Sequence, residues 1–171
     1  DVVVATDSAA IADTVAAFGG TAVMTSSDAR NGTERCAEAF AVLGREADVV
    51  VNLQGDNPLV PPGYIAALLS AFADAAVDVA TPFVRCDAAM SARLRGDYAA
   101  GRIGGTCVVA RQDGTAMAFS KAPIPHGAAL LNMHIGLYAY RPAALAAYAA
   151  LPVSQLELDE GLEQLRLLDA G

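Results

Sequence analysis

The sequence has 171 residues, of which 54% are apolar, 6% aromatic and 18% charged, and this composition predicts one compact domain with small aliphatic side chains inside. Its formal net charge of −8 disfavours broad binding to nucleic acid or to an anionic membrane. No apolar run approaches the ~20 residues that cross a bilayer, and three scattered cysteines predict a reducing cytoplasm rather than a disulfide framework or a zinc site.

The first part of the chain alternates strand-like and helix-like segments. Residues 2–6 form an apolar β-rich run, and residues 21–24 give a second short strand before a helix over about 33–45. Residues 48–53 are an unbroken apolar strand, which is typical of a strand covered by helices on both faces of a parallel sheet. We therefore expect residues 48–53 at the centre of the sheet.

The second part predicts further helices and some antiparallel pairing, although residues 86–102 give no clear pattern. An Asp-Gly pair at 113–114 favours a tight hairpin between two short strands. The other predicted elements are a helix opened by Pro61 and Pro62, strands at 77–84 and 134–140, a helix opened by Pro142, and an amphipathic helix at 156–168. Together the signals predict a single α/β domain over 1–171, an open, mostly parallel sheet flanked by helices with an antiparallel extension.

In such a sheet, ligands bind beyond the carboxyl ends of the strands, and Gln54, Gly55 and Asp56 follow the apolar strand directly. Gly55 permits close backbone approach, and Asp56 offers a hard carboxylate oxygen that suits Mg²⁺ bridging to phosphates. A turn in which the Asp56 side chain bonds its own backbone explains the same residues. The spacing alone leaves both interpretations open.

A second candidate lies at a loop-to-helix junction, where Asn31, Gly32, Thr33 and Arg35 follow one another closely. Free backbone N–H groups, a hydroxyl and a guanidinium at that place could read a base edge or a phosphate. A plain helix cap by Asn31 or Thr33, with Arg35 in solvent, is the simpler interpretation of this segment taken alone.

Further polar side chains occur in the second half. Lys121 stands in a proline-rich loop that is stiff enough to hold a cation for a carboxylate or a phosphate, although most lysines are simply exposed. His134 and Tyr138 are four residues apart in a predicted strand, so they share one face. Acidic side chains recur every three residues in the last predicted helix, which is typical of a solvated face: Glu157, Glu160 and Glu163.

Taken in order, these segments resemble one family, the 3-deoxy-manno-octulosonate cytidylyltransferases. The segments that carry the resemblance are residues 2–7, 32–35, 51–56, 119–125, 134–141 and 162–166. The resemblance implies a nucleotidyltransferase that moves CMP from CTP to the anomeric hydroxyl of 3-deoxy-manno-octulosonate (Kdo), with release of pyrophosphate, for lipopolysaccharide biosynthesis. It also implies a nucleotide-diphospho-sugar transferase-like fold, Mg²⁺ as cofactor and a cytoplasmic homodimer.

The resemblance also implies a role for each matching residue. Residues expected to face the nucleotide are Gly32, Thr33, Arg35 and Gln54, and Asp56 is expected to hold Mg²⁺. Residues expected to hold the sugar acid are Lys121, His134, Tyr138, Glu163 and Gln164, with the Lys121 cation on its carboxylate. Because an alcohol attacks the α-phosphorus, we expect positioning and charge neutralisation, to which Asp56 and Lys121 contribute, and no covalent nucleophile.

The chain departs from the family pattern in ways that bear on specificity and competence. Asn57 stands where the family usually has Glu, and Lys121 where Arg is common, so another 2-keto sugar acid, such as amino-Kdo or a sialic acid, is an alternative substrate. The family's initial triphosphate loop and late metal aspartate are not in the sequence, so we expect the central part of an enzyme that is not competent alone. A non-catalytic nucleotide-sugar-binding domain is a further alternative, whereas a dinucleotide oxidoreductase is disfavoured because no G-x-G-x-x-G follows the first strand.

Overall fold

The computed structural model describes residues 1–171 as an alternation of short strands and helices. The strands are β1 (Val4–Thr6), β2 (Ala22–Met24), β3 (Val50–Leu53), β4 (Val79–Ala80), β5 (Phe83–Arg85), β6 (Cys107–Ala110), β7 (Ala116–Ser120), β8 (Asn132–His134) and β9 (Leu137–Tyr140). The helices are α1 (Ala9–Ala17), α2 (Gly32–Leu43), α3 (Pro62–Ala71), α4 (Ala88–Ala99), α5 (Pro142–Ala150), α6 (Gln155–Glu160) and α7 (Leu165–Ala170). The segment without a clear sequence pattern contains α4, which the Asp87 side chain caps by accepting a hydrogen bond from the Met90 N–H.

The strands pair in three groups. β1 and β2 are parallel, β9 lies between β3 and β4 in an antiparallel sheet, and the order β5-β8-β6-β7 forms a second antiparallel sheet. The predicted α/β class, with parallel and antiparallel parts flanked by helices, is confirmed, and so is the β6–β7 hairpin, but the expectation of a mostly parallel sheet is wrong. Antiparallel pairing takes the larger share because the late strand β9 inserts between β3 and β4.

The apolar strand β3 is an edge strand of its sheet. It pairs with β9 alone, so the predicted central position of residues 48–53 is wrong. Its apolar run has another cause, because Val49 and Val51 pack with the cluster around Leu68 while Val50 packs with the cluster beside α2 and α5. An unbroken apolar run therefore indicates that both faces of the strand are covered, and an edge strand can also have two covered faces.

Strand β9 is the buried centre of that sheet, and none of its four residues exceeds 3% exposure. Leu137 and Ala139 pack against Leu68 of α3, whereas Tyr138 and Tyr140 belong to the cluster beside α2 and α5. This alternation follows from the two-residue period of a strand. It directs the two tyrosines toward the start of α2, where the site described below lies.

Two predicted elements are interrupted. The strand at 134–140 divides at Ile135 and Gly136 into β8 and β9, which belong to different sheets. The helix at 156–168 divides at Gly161, which ends α6 in the left-handed conformation with φ 60°. Both interruptions turn the chain beside one cavity. No helix combines the length and apolar character that crossing a membrane requires.

Candidate active site

A cavity of about 850 Å³ opens where the end of β3, the start of α2, the β8–β9 turn and the α6–α7 turn meet. It lies at the carboxyl end of β3, where an α/β sheet is expected to bind ligands. The predicted site residues that line it are Gly32, Gln54, Asp56, His134, Tyr138, Glu163 and Gln164. Residues from four separate stretches of the sequence are thus brought together.

Glu163 joins the start of α2 to the end of β3. Its Oε1 accepts from Gln54 Nε2 at 2.7 Å, and its Oε2 accepts from the Thr33 N–H at 3.2 Å. Burial raises the pKa of the Glu163 carboxyl, and the hydrogen bonds from Thr33 and Gln54 oppose that rise. A Cβ at Gly32 would stand 2.8 Å from Gln54 Nε2, so glycine at this position permits the Gln54–Glu163 hydrogen bond.

Thr33 contributes its backbone rather than its side chain. The side chain is fully buried, and its hydroxyl is hydrogen-bonded to the Tyr140 hydroxyl at 2.8 Å. The cap of α2 is supplied by Asn31, which accepts from the Glu34 N–H and donates from Nδ2 to the Tyr148 hydroxyl at 2.8 Å. The helix-cap interpretation is therefore confirmed for Asn31, and in this structure the Thr33 hydroxyl does not line the cavity.

The turn after β3 presents Asp56 to the cavity. A backbone hydrogen bond from the Asn57 N–H to the Gln54 carbonyl, 3.0 Å long, closes the turn, and the Asp56 carboxylate is exposed. No group of three or more His, Cys, Asp or Glu side chains is arranged to hold a metal ion. Mg²⁺ commonly binds through one or two carboxylates together with substrate phosphates and water. Asp56 is suited to a Mg²⁺ ion whose other ligands are substrate phosphates and water. The site is not suited to a metal ion bound by protein side chains alone.

His134 and Tyr138 are neighbours, but for a different reason from the predicted one. They lie on different strands, β8 and β9, so the argument from one shared strand face is wrong. The β8–β9 turn nevertheless brings their ring centroids to 5.5 Å, and Phe119 contacts the His134 ring edge-on at 5.1 Å. Burial lowers the pKa of His134 to about 4 and raises that of Tyr138, so both side chains are neutral at pH 7.

Gln164 offers an unused donor in the cavity wall. Its Oε1 accepts from the Tyr138 hydroxyl at 3.1 Å, while its buried Nε2 has no hydrogen-bond partner. A buried donor without a partner costs about 1–3 kcal/mol. In this structure Gln164 therefore contributes to the cavity wall by orienting the Tyr138 hydroxyl.

Besides Thr33, two further predicted site residues lie outside the cavity lining. Arg35 donates to Thr25 Oγ1 at 2.6 Å and pairs with Asp7 at 3.2 Å, so it joins the ends of the parallel strands β1 and β2 instead of standing in solvent. Lys121 Nζ lies against the α6–α7 turn: a Cβ at Gly161, which does line the cavity, would stand 2.7 Å from it.

The acidic residues of the last predicted helix do not form a solvated face. Glu160 binds the start of the Lys121 loop through the Lys121 N–H at 2.9 Å and the Ser120 hydroxyl at 2.6 Å. Glu157 receives two hydrogen bonds from Arg166, at 2.6 and 2.7 Å. The interpretation as a solvated face is wrong, because the helix ends at Gly161 and each carboxylate contacts a different element.

Arg166 is the residue that the sequence analysis missed. Only 1% exposed, it also pairs with Glu34 of α2 at 3.0 Å, and its guanidinium stacks on the Tyr148 ring at 4.3 Å. Burial alone would raise the pKa of Glu34, but hydrogen bonds from Arg30 and Arg166 outweigh it and lower the pKa to about 2. An arginine among regularly spaced glutamates is the signal that could have indicated this network.

The fold and the cavity define an α/β protein with a cavity lined mainly by polar residues at the carboxyl end of β3. A family model described as cytidylyltransferase matches residues 1–171. The chain belongs to the cytidylyltransferase family.

Named relatives narrow the comparison. The chain is 46% identical to the 3-deoxy-manno-octulosonate cytidylyltransferase of Maricaulis maris, over 99% of this chain and 68% of that protein. It is 44% identical to the enzyme of the same name from Mesorhizobium japonicum, over 99% of this chain and 69% of that protein. It superposes with a TM-score of 0.87 and 39% identity on a solved CMP:2-keto-3-deoxy-manno-octonic acid synthetase complexed with CTP, over 100% of this chain and 68% of the other.

Proposed function

We propose that this protein catalyses the transfer of CMP from CTP to the anomeric hydroxyl of Kdo, with release of pyrophosphate. The observation that carries the proposal is the cavity in which Gly32, Gln54, Asp56, Tyr138 and Glu163 converge. The relatives at 44–46% identity, named for this reaction, support the same assignment, and so does the solved relative that holds CTP.

The nucleotide is assigned to the side of the cavity formed by the start of α2 and the end of β3. Gly32 leaves room there, and Gln54 offers an amide held in place by Glu163. The Thr33 N–H is engaged by the same carboxylate, so Thr33 acts by positioning Glu163. Arg35 supports the nearby strand ends from outside the cavity lining and is 23% exposed, which leaves its guanidinium within reach of solvent.

The sugar acid is assigned to the opposite side, where the side chains are neutral or buried. His134, Tyr138 and Gln164 supply acceptors and donors for hydroxyl groups. Glu163 lies at the border between the proposed nucleotide side and the proposed sugar-acid side of the cavity. Lys121 is assigned as the cation for the carboxylate of the acid, because its ammonium packs against Gly161, which lines the cavity.

The chemistry needs positioning more than it needs a reactive side chain. The anomeric hydroxyl loses its proton to solvent as a bond forms between its oxygen and the α-phosphorus, while the bond from that phosphorus to the oxygen bridging to the β-phosphate breaks and pyrophosphate leaves. Fixed hydrogen bonds that orient the two substrates can supply much of the rate enhancement. Mg²⁺, carried in with the nucleotide and held by Asp56, would neutralise developing phosphate charge.

One observation favours a sugar acid other than Kdo as the alternative substrate. Asn57, a departure from the family pattern, donates to the Gly136 carbonyl at 3.5 Å, and Gly136 lies between His134 and Tyr138 in the chain. The departure is therefore next to the proposed sugar-acid side, where amino-Kdo or a sialic acid would be distinguished from Kdo.

The test is pyrophosphate release by the full-length protein with each nucleoside triphosphate and each acid. We expect turnover with CTP and Kdo in the presence of Mg²⁺, and loss of turnover on chelation. A higher kcat/KM for amino-Kdo or a sialic acid would select the alternative substrate. Tight CTP binding without pyrophosphate release under all conditions would indicate a non-catalytic nucleotide-sugar-binding protein and overturn the proposal.

We further propose that the enzyme acts as a cytoplasmic homodimer that supplies activated Kdo to lipopolysaccharide biosynthesis. Its three cysteines are free thiols, which agrees with a reducing compartment. Sedimentation of the full-length protein tests the dimer, and a monomer at micromolar concentration would refute it.

A further inference from the structure

Thr81 lies where the chain passes from one antiparallel sheet to the other. It separates β4, which pairs with β9, from β5, which pairs with β8. Thr81 is therefore alongside the β8–β9 turn that carries the cavity residue His134. The Ile135 N–H donates to the Pro82 carbonyl at 3.0 Å, which holds the two connections together.

The Thr81 hydroxyl has three partners within hydrogen-bond distance. Its Oγ1 lies 2.7 Å from His134 Nε2, 2.8 Å from the Leu137 carbonyl oxygen and 3.3 Å from the Ile135 carbonyl oxygen. A hydroxyl has a single proton to donate, and a carbonyl can only accept. The Thr81 proton must therefore point to the carbonyls, since otherwise two oxygen lone pairs would face each other at 2.8 Å.

This proton count fixes the tautomer of His134. With its proton given to a carbonyl, Thr81 Oγ1 must accept from His134, so His134 carries its proton on Nε2. The ring is neutral at pH 7 because burial lowers its pKa to about 4, so Nδ1 is an unprotonated acceptor.

His134 Nδ1 has no partner within the chain and is not fully buried. No hydrogen bond within the chain involves it, and the buried side-chain nitrogens and oxygens that lack a partner are Asn52 Nδ2 and Gln164 Nε2 only. Nδ1 is therefore not enclosed, and His134 lines the cavity.

We propose that Thr81 is a positioning residue that holds His134 as the Nε2–H tautomer and so makes the cavity select a ligand group that donates a hydrogen bond to Nδ1. A hydroxyl of a polyhydroxylated acid meets this requirement, whereas a carboxylate or phosphate oxygen does not. The identity of that ligand rests on the proposed function, but the tautomer rests on the Thr81 geometry alone.

The first test is ¹⁵N NMR of histidine-labelled full-length protein at pH 7 without substrate. The chain has two histidines, and the exposed His126 gives a reference signal beside that of His134. We expect a protonated Nε2 and an unprotonated Nδ1 at His134, retained in Thr81→Ser and lost in Thr81→Val. A protonated Nδ1 or an imidazolium in the unsubstituted protein overturns the proposal, whatever reaction the protein catalyses.

The second test separates positioning from stability. Thr81→Val should raise KM for Kdo about tenfold, the effect of losing one oriented neutral hydrogen bond, while KM for CTP stays unchanged and Thr81→Ser restores the value. Thr14→Val is the matched control, since the exposed Thr14 hydroxyl also donates to a backbone carbonyl, in α1. Equal changes in both KM values, or no rescue by serine, would refute the positioning role.

Discussion

The two walls of the cavity are built in opposite ways. The α6–α7 wall contains the buried, fully paired charges of Arg166 and Glu157. The wall after β3 presents the exposed Asp56, which takes part in no ion pair of the structure. One wall is thus organised before any ligand arrives, and the other keeps a carboxylate available for charge that the ligand brings.

Removing Arg166 should break the organised wall. Arg166→Met leaves Glu157 and Glu34 without their common partner, and breaking a buried pair on one side costs about 3–5 kcal/mol. Urea denaturation should show that loss. Arg30→Met is the matched control, because Arg30 pairs with the same Glu34 but is 56% exposed, and it should cost about 1 kcal/mol or less. Equal losses in the two variants would contradict the contrast between the walls.

Changing Asp56 should affect activity and spare the fold. Asp56→Asn should lower CMP transfer by about 10², since metal-assisted charge neutralisation is worth several kcal/mol, while the urea midpoint stays the same because the side chain is exposed. Asp169→Asn, an exposed acid on α7, should leave both quantities unchanged. Near-normal turnover in Asp56→Asn would reduce Asp56 to a turn residue.

The buried His134 should make the free energy of unfolding depend on pH. Its folded pKa, about 4, lies below the ordinary 6.5, so between these values the unfolded state binds more protons and the free energy of unfolding falls as pH is lowered. We expect the difference between the protein and His134→Gln to shrink by about 3 kcal/mol from pH 7 to pH 4. Parallel stability curves for the two proteins would contradict burial of a neutral His134.

Substitution of Lys121 should affect KM for the sugar acid more than KM for CTP. Lys121→Ala should raise KM for the sugar acid about tenfold, the order expected for one charge-assisted hydrogen bond, and change KM for CTP little. Lys121→Arg should preserve or tighten use of the acid. Gly161→Ala should give a smaller effect of the same kind, because its Cβ displaces Lys121 Nζ. Equal losses toward both substrates would remove Lys121 from the acid side.

The sequence predicted the local elements well and their spatial neighbours less well. Strand–helix alternation and the hairpin between β6 and β7 follow from periodicity and turn chemistry. The place of β3 in the sheet does not, since an apolar run reflects covered faces and carries no information on which strand lies alongside. Which strand pairs with β3 is decided by β9, far away in the chain.

The site shows the same division. The pairing of His134 with Tyr138 was correctly predicted although the strand argument was wrong, because a two-residue interruption preserved their proximity. An arginine among glutamates could have indicated an ion-pair network, but the partners of Arg166 do not follow from spacing, since the break at Gly161 redirects each glutamate to a different partner. A single left-handed residue changed the meaning of a regular charge pattern.

The cavity also depends on contacts between distant parts of the chain. The hydrogen bonds that Glu163 makes with Gln54 and Thr33 join residues 109 and 130 positions apart. Closing such long loops is entropically costly and delays the contacts that depend on it. During synthesis the early strands and helices leave the ribosome well before Glu163 does, so this cavity takes its shape only after α6 and α7 dock.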